Sequence, residues 1–241
     1  MRMEIRPKAC VCVFAVATAA LGAALSPKLL AQNPEMQQKV AEAKEAAARN
    51  KQLLAQYTWV EQVTISLKGE QKKQEHFQVR LGPDGKPQKQ SLDPPPAEPE
   101  HEGRLKKHIV EKKTEEYKEY ADRIKELIQQ YVPPEKDKLE QAYQSGSVMV
   151  GPVAGVAGQY RLVISNYIKQ GDNMTLVMDK TQKNLVGVSI STYMDDPHDA
   201  VKVNVEFAPI PSGPNHISAE TINGVSKELT VAIQNSNYQQ L

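Results

Sequence analysis

Residues 201–207 read Val-Lys-Val-Asn-Val-Glu-Phe and residues 229–234 read Leu-Thr-Val-Ala-Ile-Gln, each with an apolar side chain at every second position. A period of two marks a strand with one face in the core and the other in water. The same period runs through Met174, Leu176 and Met178, and then through Val186, Val188 and Ile190. Turn chemistry separates these segments: Lys180 to Asn184, the polar run Asp195-Asp196-Pro197-His198-Asp199, a Pro/Gly-rich loop at 208–214, and Asn223-Gly224. Short connections of this kind join antiparallel neighbours, so the segments from Gln159 to Gln234 predict one antiparallel sheet with a buried face.

Working outward, Gly151, Gly155 and Gly158 predict a loop or flexible strand edge ahead of a strand at Tyr160 to Ser165. Further upstream, Asp93 to Pro99 contains three consecutive prolines, which remove ladder donors and break any sheet. Beyond them Leu105, Ile109, Tyr117, Tyr120, Ile124, Leu127, Ile128 and Tyr131 share one side of a helix otherwise crowded with Lys and Glu. Pro133-Pro134 ends that helix, and Glu135 to Gln144 predicts one more short helix.

Before the prolines the period is again two. Tyr57, Trp59, Val63, Ile65 and Leu67 take one face of a strand, Gly69-Glu70 turns the chain, and Phe77, Val79 and Leu81 mark the inward face of the next. Gly82-Pro83-Asp84-Gly85-Lys86 is a further turn, followed by a short strand at Gln88 to Leu92. Asn33-Pro34-Glu35 has the cap, the first-turn proline and the acid of a helix start, and this helix is predicted to run to about Gln56. The fold class is therefore α+β: an antiparallel sheet curved into a half-barrel, with an N-terminal helix and a helical insertion at 93–146 packing on it. Neither half of the sheet has enough strands to bury a face alone, so 32–241 is expected to be a single domain.

Residues 1–31 are set apart from that domain. Arg2, Arg6 and Lys8 precede an apolar, Ala-rich run from Ala9 to Leu25, and Ala24 or Ala31 offers a small residue for cleavage. This is the pattern of a secretory signal peptide cleaved near Ala31, leaving no transmembrane anchor in the mature form. The only cysteines, Cys10 and Cys12, fall within it, so the mature chain has no disulfide, thiol nucleophile or cysteine metal site. Without Arg2, Arg6, Lys8, Lys28 and Glu4, the 30 basic and 29 acidic residues become 26 and 28, a net charge of −2. A near-neutral exported protein has no global electrostatic reason to bind nucleic acid.

No catalytic constellation is visible, and a non-enzymatic protein without cofactor or metal is expected. Asp195, Asp196, His198 and Asp199 lack the one-in-two spacing and glycine of a calcium loop and read as a solvated turn. His101 and His108 miss the i, i+4 spacing of a zinc helix, and neither His76 nor His216 has a partner recognisable from the sequence. The glycines at 151–158 have no phosphate-loop order, and Ser189 lies within a strand rather than at a nucleophile elbow. The aromatic and sulfur side chains are more informative. Tyr57, Trp59 and Phe77 on strands, Tyr117, Tyr120 and Ile124 on the helix, and Met174 and Met178 on the sheet would line an apolar pocket if the insertion covers the sheet.

The order of these elements, with Tyr57-Thr58-Trp59 opening the sheet and hairpins at Asp179-Lys180-Thr181 and Asn223-Gly224, resembles the periplasmic lipoprotein-carrier (LolA/LolB-like) and sigma-regulator RseB-like superfamily. The resemblance spans about 34–241 and lies in the architecture, with no diagnostic residue signature. It implies an incomplete β-barrel closed by helices that binds an acyl chain, lipid or lipoprotein in the periplasm, with no cofactor. The alternative is a structural or regulatory protein-interaction module of the envelope, whose charged helix at 104–131 docks a partner.

Overall fold

The computed structural model describes residues 48–94, 104–132, 134–182, 184–210 and 213–241. The expected N-terminal helix appears as a helical stretch at 48–54; its start at Asn33, the signal segment and His101 lie outside the described residues. Strands β1 (Tyr57–Leu67), β2 (Glu70–Leu81) and β3 (Pro87–Ser91) come first, then helices α1 (Arg104–Gln129) and α2 (Lys136–Gln144). Seven strands follow: β4 (Val148–Pro152), β5 (Gln159–Ser165), β6 (Asn173–Asp179), β7 (Asn184–Tyr193), β8 (Ala200–Pro209), β9 (Asn215–Gly224) and β10 (Leu229–Gln240).

All ten strands form one antiparallel sheet in the order β3-β2-β1-β10-β9-β8-β7-β6-β5-β4. Every neighbour is a sequence neighbour except β1 and β10, whose pairing from Tyr57↔Gln240 to Leu67↔Leu229 joins the two halves. The sheet is open, with β3 and β4 at its edges. The helical insertion leaves one edge and enters the other, so it has to cross the sheet. Nine inter-strand gaps of ~4.8 Å span about 43 Å, and 26 residues at ~1.5 Å give α1 about 39 Å.

Register shifts at Thr58/Val60, Ile65/Ser66, Val177/Met178 and Glu206/Phe207 bend the strands. They also correct the inward register expected for β7. The shift at Val177/Met178 pairs Met178 with Leu185 and skips Val186, so Leu185 is buried and Val186 only half-buried. Two turns move as well. Lys68 and Gly69, both with positive φ, make the two-residue hairpin between β1 and β2, one residue earlier than expected. Residues 225–228, not Asn223-Gly224, join β9 to β10.

Gly224 stays in its strand because α1 seats on it. A Cβ there would lie 2.6 Å from Tyr120 Cε1 and 2.7 Å from Ile124 Cδ1. The core is continuous across the sheet, from Val63 and Ile65 through Val201, Val203 and Val205 to Ile164 and Met174, and α1 adds Tyr120, Ile124, Leu127, Ile128 and Tyr131.

Candidate functional site

Polar bonds strap α1 to one end of the sheet. Tyr120 donates to Asp199 Oδ1 at 2.5 Å, Arg123 pairs with Asp195, and the buried Tyr131 hydroxyl donates to Asp172 Oδ2 at 2.5 Å and lies 2.7 Å from Thr192 Oγ1. Asp172 also accepts the backbone N–H groups of Tyr167, Ile168 and Lys169. Burial, reinforced by Asp199, pushes the Tyr120 hydroxyl up to about 12; burial and Asp172 push Tyr131 higher still. Asp195 and Asp199, expected only as a solvated turn, thus hold the helix.

The opposite end of the concave face is chemically different. Alternation along β1 puts Trp59, Glu61 and Val63 on the inward side, and Glu61 is 0 % exposed. It faces Phe77 on β2 and Asn235 on β10. Lys89 of β3 reaches over the Phe77 ring, 5.6 Å from its centroid, to form an ion pair with Glu61. Glu220 of β9, 3 % exposed, sits between Val205 of β8 and Ile233 of β10. Apolar neighbours on both sides penalise its charge, and the Glu61 carboxylate adds to that, so its carboxyl is pushed up to about 8 against a weaker pull from Lys89.

Trp59 forms the wall of this corner. His216 meets its ring edge-on at 4.6 Å and Tyr238 stacks at 6.3 Å. Tyr238 donates to the Ile217 carbonyl at 3.1 Å, and its oxygen lies 2.8 Å from His216 Nδ1, so the imidazole N–H donates to it. Burial holds His216 down to about 4 and therefore neutral at pH 7. His216 has Tyr238, and His76 has Asp93 at 2.9 Å, which supplies the partners that the sequence did not reveal.

Three polar atoms in this corner have no hydrogen-bond partner among the described residues: Trp59 Nε1, Glu220 Oε1 and Asn235 Oδ1. Buried polar atoms of native proteins are paired in roughly nine cases out of ten. Five such atoms occur among the described residues, the other two being Asn184 Oδ1 and Asn215 Oδ1. Asn235 stands opposite Glu61, two residues from Trp59, and two residues along β10 from the partner of Glu220, so these three line the stretch from Trp59 to Glu220.

The expected pocket residues do not converge on a single point. Trp59 and Phe77 belong to the corner, and the Tyr57 hydroxyl lies against Gly213 nearby. Tyr120 and Ile124 pack on Gly224, which faces Leu229 and through it Leu67; eight residues of β1 separate that level from Trp59, about 27 Å at ~3.4 Å per residue. Tyr117 is half-buried on the same helix; Met174 is fully buried and Met178 half-buried on β6, five strands from β1. The expected pocket list omitted Glu61, Lys89, Glu220, His216, Asn235 and Tyr238. Two had a readable signal: Glu61 stands at the inward position between Trp59 and Val63, and Glu220 stands two residues before Ile222 on the same face.

Among the described residues no group of three or more His, Cys, Asp or Glu side chains could hold a metal ion, and no helix is long and apolar enough to cross a membrane.

No family model matches the chain, and no curated protein matches it. Among solved structures it is similar to a DUF1329 family protein from Desulfovibrio piger, with a TM-score of 0.39 and 13% identity over 81% of this chain and 90% of that one. It is also similar to a LolA superfamily protein from Nitrosomonas europaea, with a TM-score of 0.35 and 6% identity over 82% and 93% of the two chains. The chain is an α+β protein built on one open antiparallel sheet, and at these identities and TM-scores neither a family nor a residue role carries over from either structure.

Proposed function

We propose that this is an exported, non-enzymatic envelope protein that binds an apolar ligand, an acyl chain, lipid or lipoprotein, on the concave face of its half-barrel. One observation carries the proposal: an otherwise apolar face ends in a buried corner where Trp59 Nε1, Glu220 Oε1 and Asn235 Oδ1 lack partners. A core completed by its own side chains gains nothing from desolvating polar atoms and leaving them unpaired, which costs about 1–3 kcal/mol each. A ligand with an apolar body and a polar head satisfies both parts of such a face. In this proposal Tyr57, Trp59 and Phe77 surround the head, Met174 and Met178 lie along the face, and α1 covers it with Tyr117, Tyr120 and Ile124. Export rests on residues 1–31, whose charged start, apolar run and small residues support cleavage near Ala31 and a periplasmic or secreted location.

The test is titration of the purified protein with an apolar fluorescent probe, paired with mass spectrometry of lipids extracted from it. Saturable binding at micromolar concentration, competed by the extracted lipid, is expected. A protein that carries no lipid and ignores the probe refutes the proposal and leaves the interaction module in its place.

A further inference from the structure

The unpaired corner combines aromatic faces with buried carboxyls. Ring faces attract a cation that has shed its water, and a carboxylate offsets its charge; together they recognise an ammonium group. One ammonium is already held in this way, since Lys89 lies over Phe77 and pairs with Glu61. Two strands from β1, Glu220 offers an acid whose buried Oε1 has no hydrogen-bond partner among the described residues, with Trp59 and Tyr238 supplying aromatic surface about four residue levels further along the strands.

We infer that the corner between Trp59 and Glu220 receives a second ammonium, so that the ligand of the concave face is an amphiphile with an amino headgroup. This rests on the proposal that the face holds an apolar ligand. The orphan atoms select the chemistry. Glu220 Oε1 and Asn235 Oδ1 are acceptors, and an ammonium brings three donors. An anionic head would add acceptors to a corner whose unpaired atoms are mostly acceptors already and would compete with Glu61 for Lys89. Trp59 Nε1 is a donor and calls for an oxygen, which a headgroup linkage next to the amine provides.

Binding is coupled to a proton. The titratable groups around Glu220 among the described residues are Glu61 from β1 and Lys89 from β3, with His216 from β9 and Tyr238 from β10 at the Trp59 end. Glu220 is mostly protonated at pH 7 in the free protein, and the arriving ammonium stabilises its carboxylate, so the Glu220 proton leaves to solvent as the amine docks.

Dodecylamine and dodecanol share a tail and differ in the head, and both are titrated calorimetrically into the full chain and into Glu220→Gln at pH 7. The amine is expected to bind wild type roughly tenfold tighter than the alcohol, the margin between a charge-assisted and a neutral hydrogen bond. It should release about one proton, counted by repeating the titration in buffers of different ionisation enthalpy, and the alcohol none. Glu220→Gln should abolish both the preference for the amine and the proton release that accompanies it. Equal affinity for the two heads, or amine binding without proton release, overturns the headgroup inference while the apolar site stands. Binding of the amine alone supports the ammonium receptor and refutes the apolar seat, and binding of neither refutes both. The wild-type proton count decides the matter even where Glu220→Gln fails to fold.

Discussion

Glu220→Gln makes the protein more stable at neutral and alkaline pH, and the magnitude follows from where the carboxyl sits. The folded chain holds this acid up to about 8, whereas the unfolded chain returns it to 4.5. Between those values the folded state keeps a proton that the unfolded state has released, so stability falls as pH rises. The contribution of that proton is complete below about pH 4.5 and gone above about pH 8. At roughly 1.36 kcal/mol per pH unit the interval is worth on the order of 5 kcal/mol, a large share of the ~5–15 kcal/mol that holds a domain together. Relaxation and water entry around the ionised side chain reduce this, and a loss of about 2–5 kcal/mol is expected. His216 works in the opposite sense: its folded value of about 4 against 6.5 unfolded stabilises the protein above about pH 6.5 and loses that contribution as pH falls towards 4. Urea unfolding of wild type and Glu220→Gln at steps from about pH 5 to pH 9 separates the two, because the histidine cancels in the difference. Wild type should lose stability relative to the variant across this range with a slope approaching one proton. Parallel profiles would show that Glu220 ionises freely in the folded state and that the corner is wet.

Three further substitutions test the packing. Val203→Asp, at a position with 0 % exposure, should abolish the cooperative unfolding transition, Val231→Asp at a half-buried position should cost less, and the outward Lys202→Asp should be tolerated; equal damage at Lys202 and Val203 would mean the register is off by one. Gly224→Ala should destabilise by about 1–3 kcal/mol in chemical denaturation, because its Cβ meets Tyr120 and Ile124 below 3.0 Å and α1 has to shift. Ile124→Val in the same chain should recover part of that loss, and an additive pair would place the helix elsewhere. Tyr131→Phe should cost about 1–3 kcal/mol by depriving Asp172 and Thr192 of the hydroxyl, and more than Tyr120→Phe, whose partner Asp199 is half-exposed; the reverse order would contradict the buried strap.

Much of this architecture was legible in the sequence. The alternation of Val201 to Phe207, the stripe from Tyr117 to Tyr131 and the turn at Gly82 to Lys86 each report a side chain's place relative to its own backbone, which is a local property. Local periods also located the helical insertion, because the prolines at 94–96 end one pattern and the helix begins another. What period cannot report is which strand lies beside which. The pairing of β1 with β10 brings Tyr57 against Gln240, and no short-range signal carries a contact of that separation. That pairing sets Asn235 against Glu61, and the β10–β9 register then brings in Glu220; the corner exists only once β1 is in register with the β9–β10 hairpin, far away in sequence. The edge positions of β3 and β4 likewise send α1 across the sheet, and its seat turns Gly224 from an expected turn residue into a contact surface. Sequence alone determined which face side chains take along an unbroken strand, because that depends on backbone geometry one residue at a time, whereas a bulge such as that at Val177/Met178 resets the faces through pairing. Tertiary structure decided which faces meet, and therefore where charge is buried without a partner, because that depends on contacts whose ends the chain itself does not place.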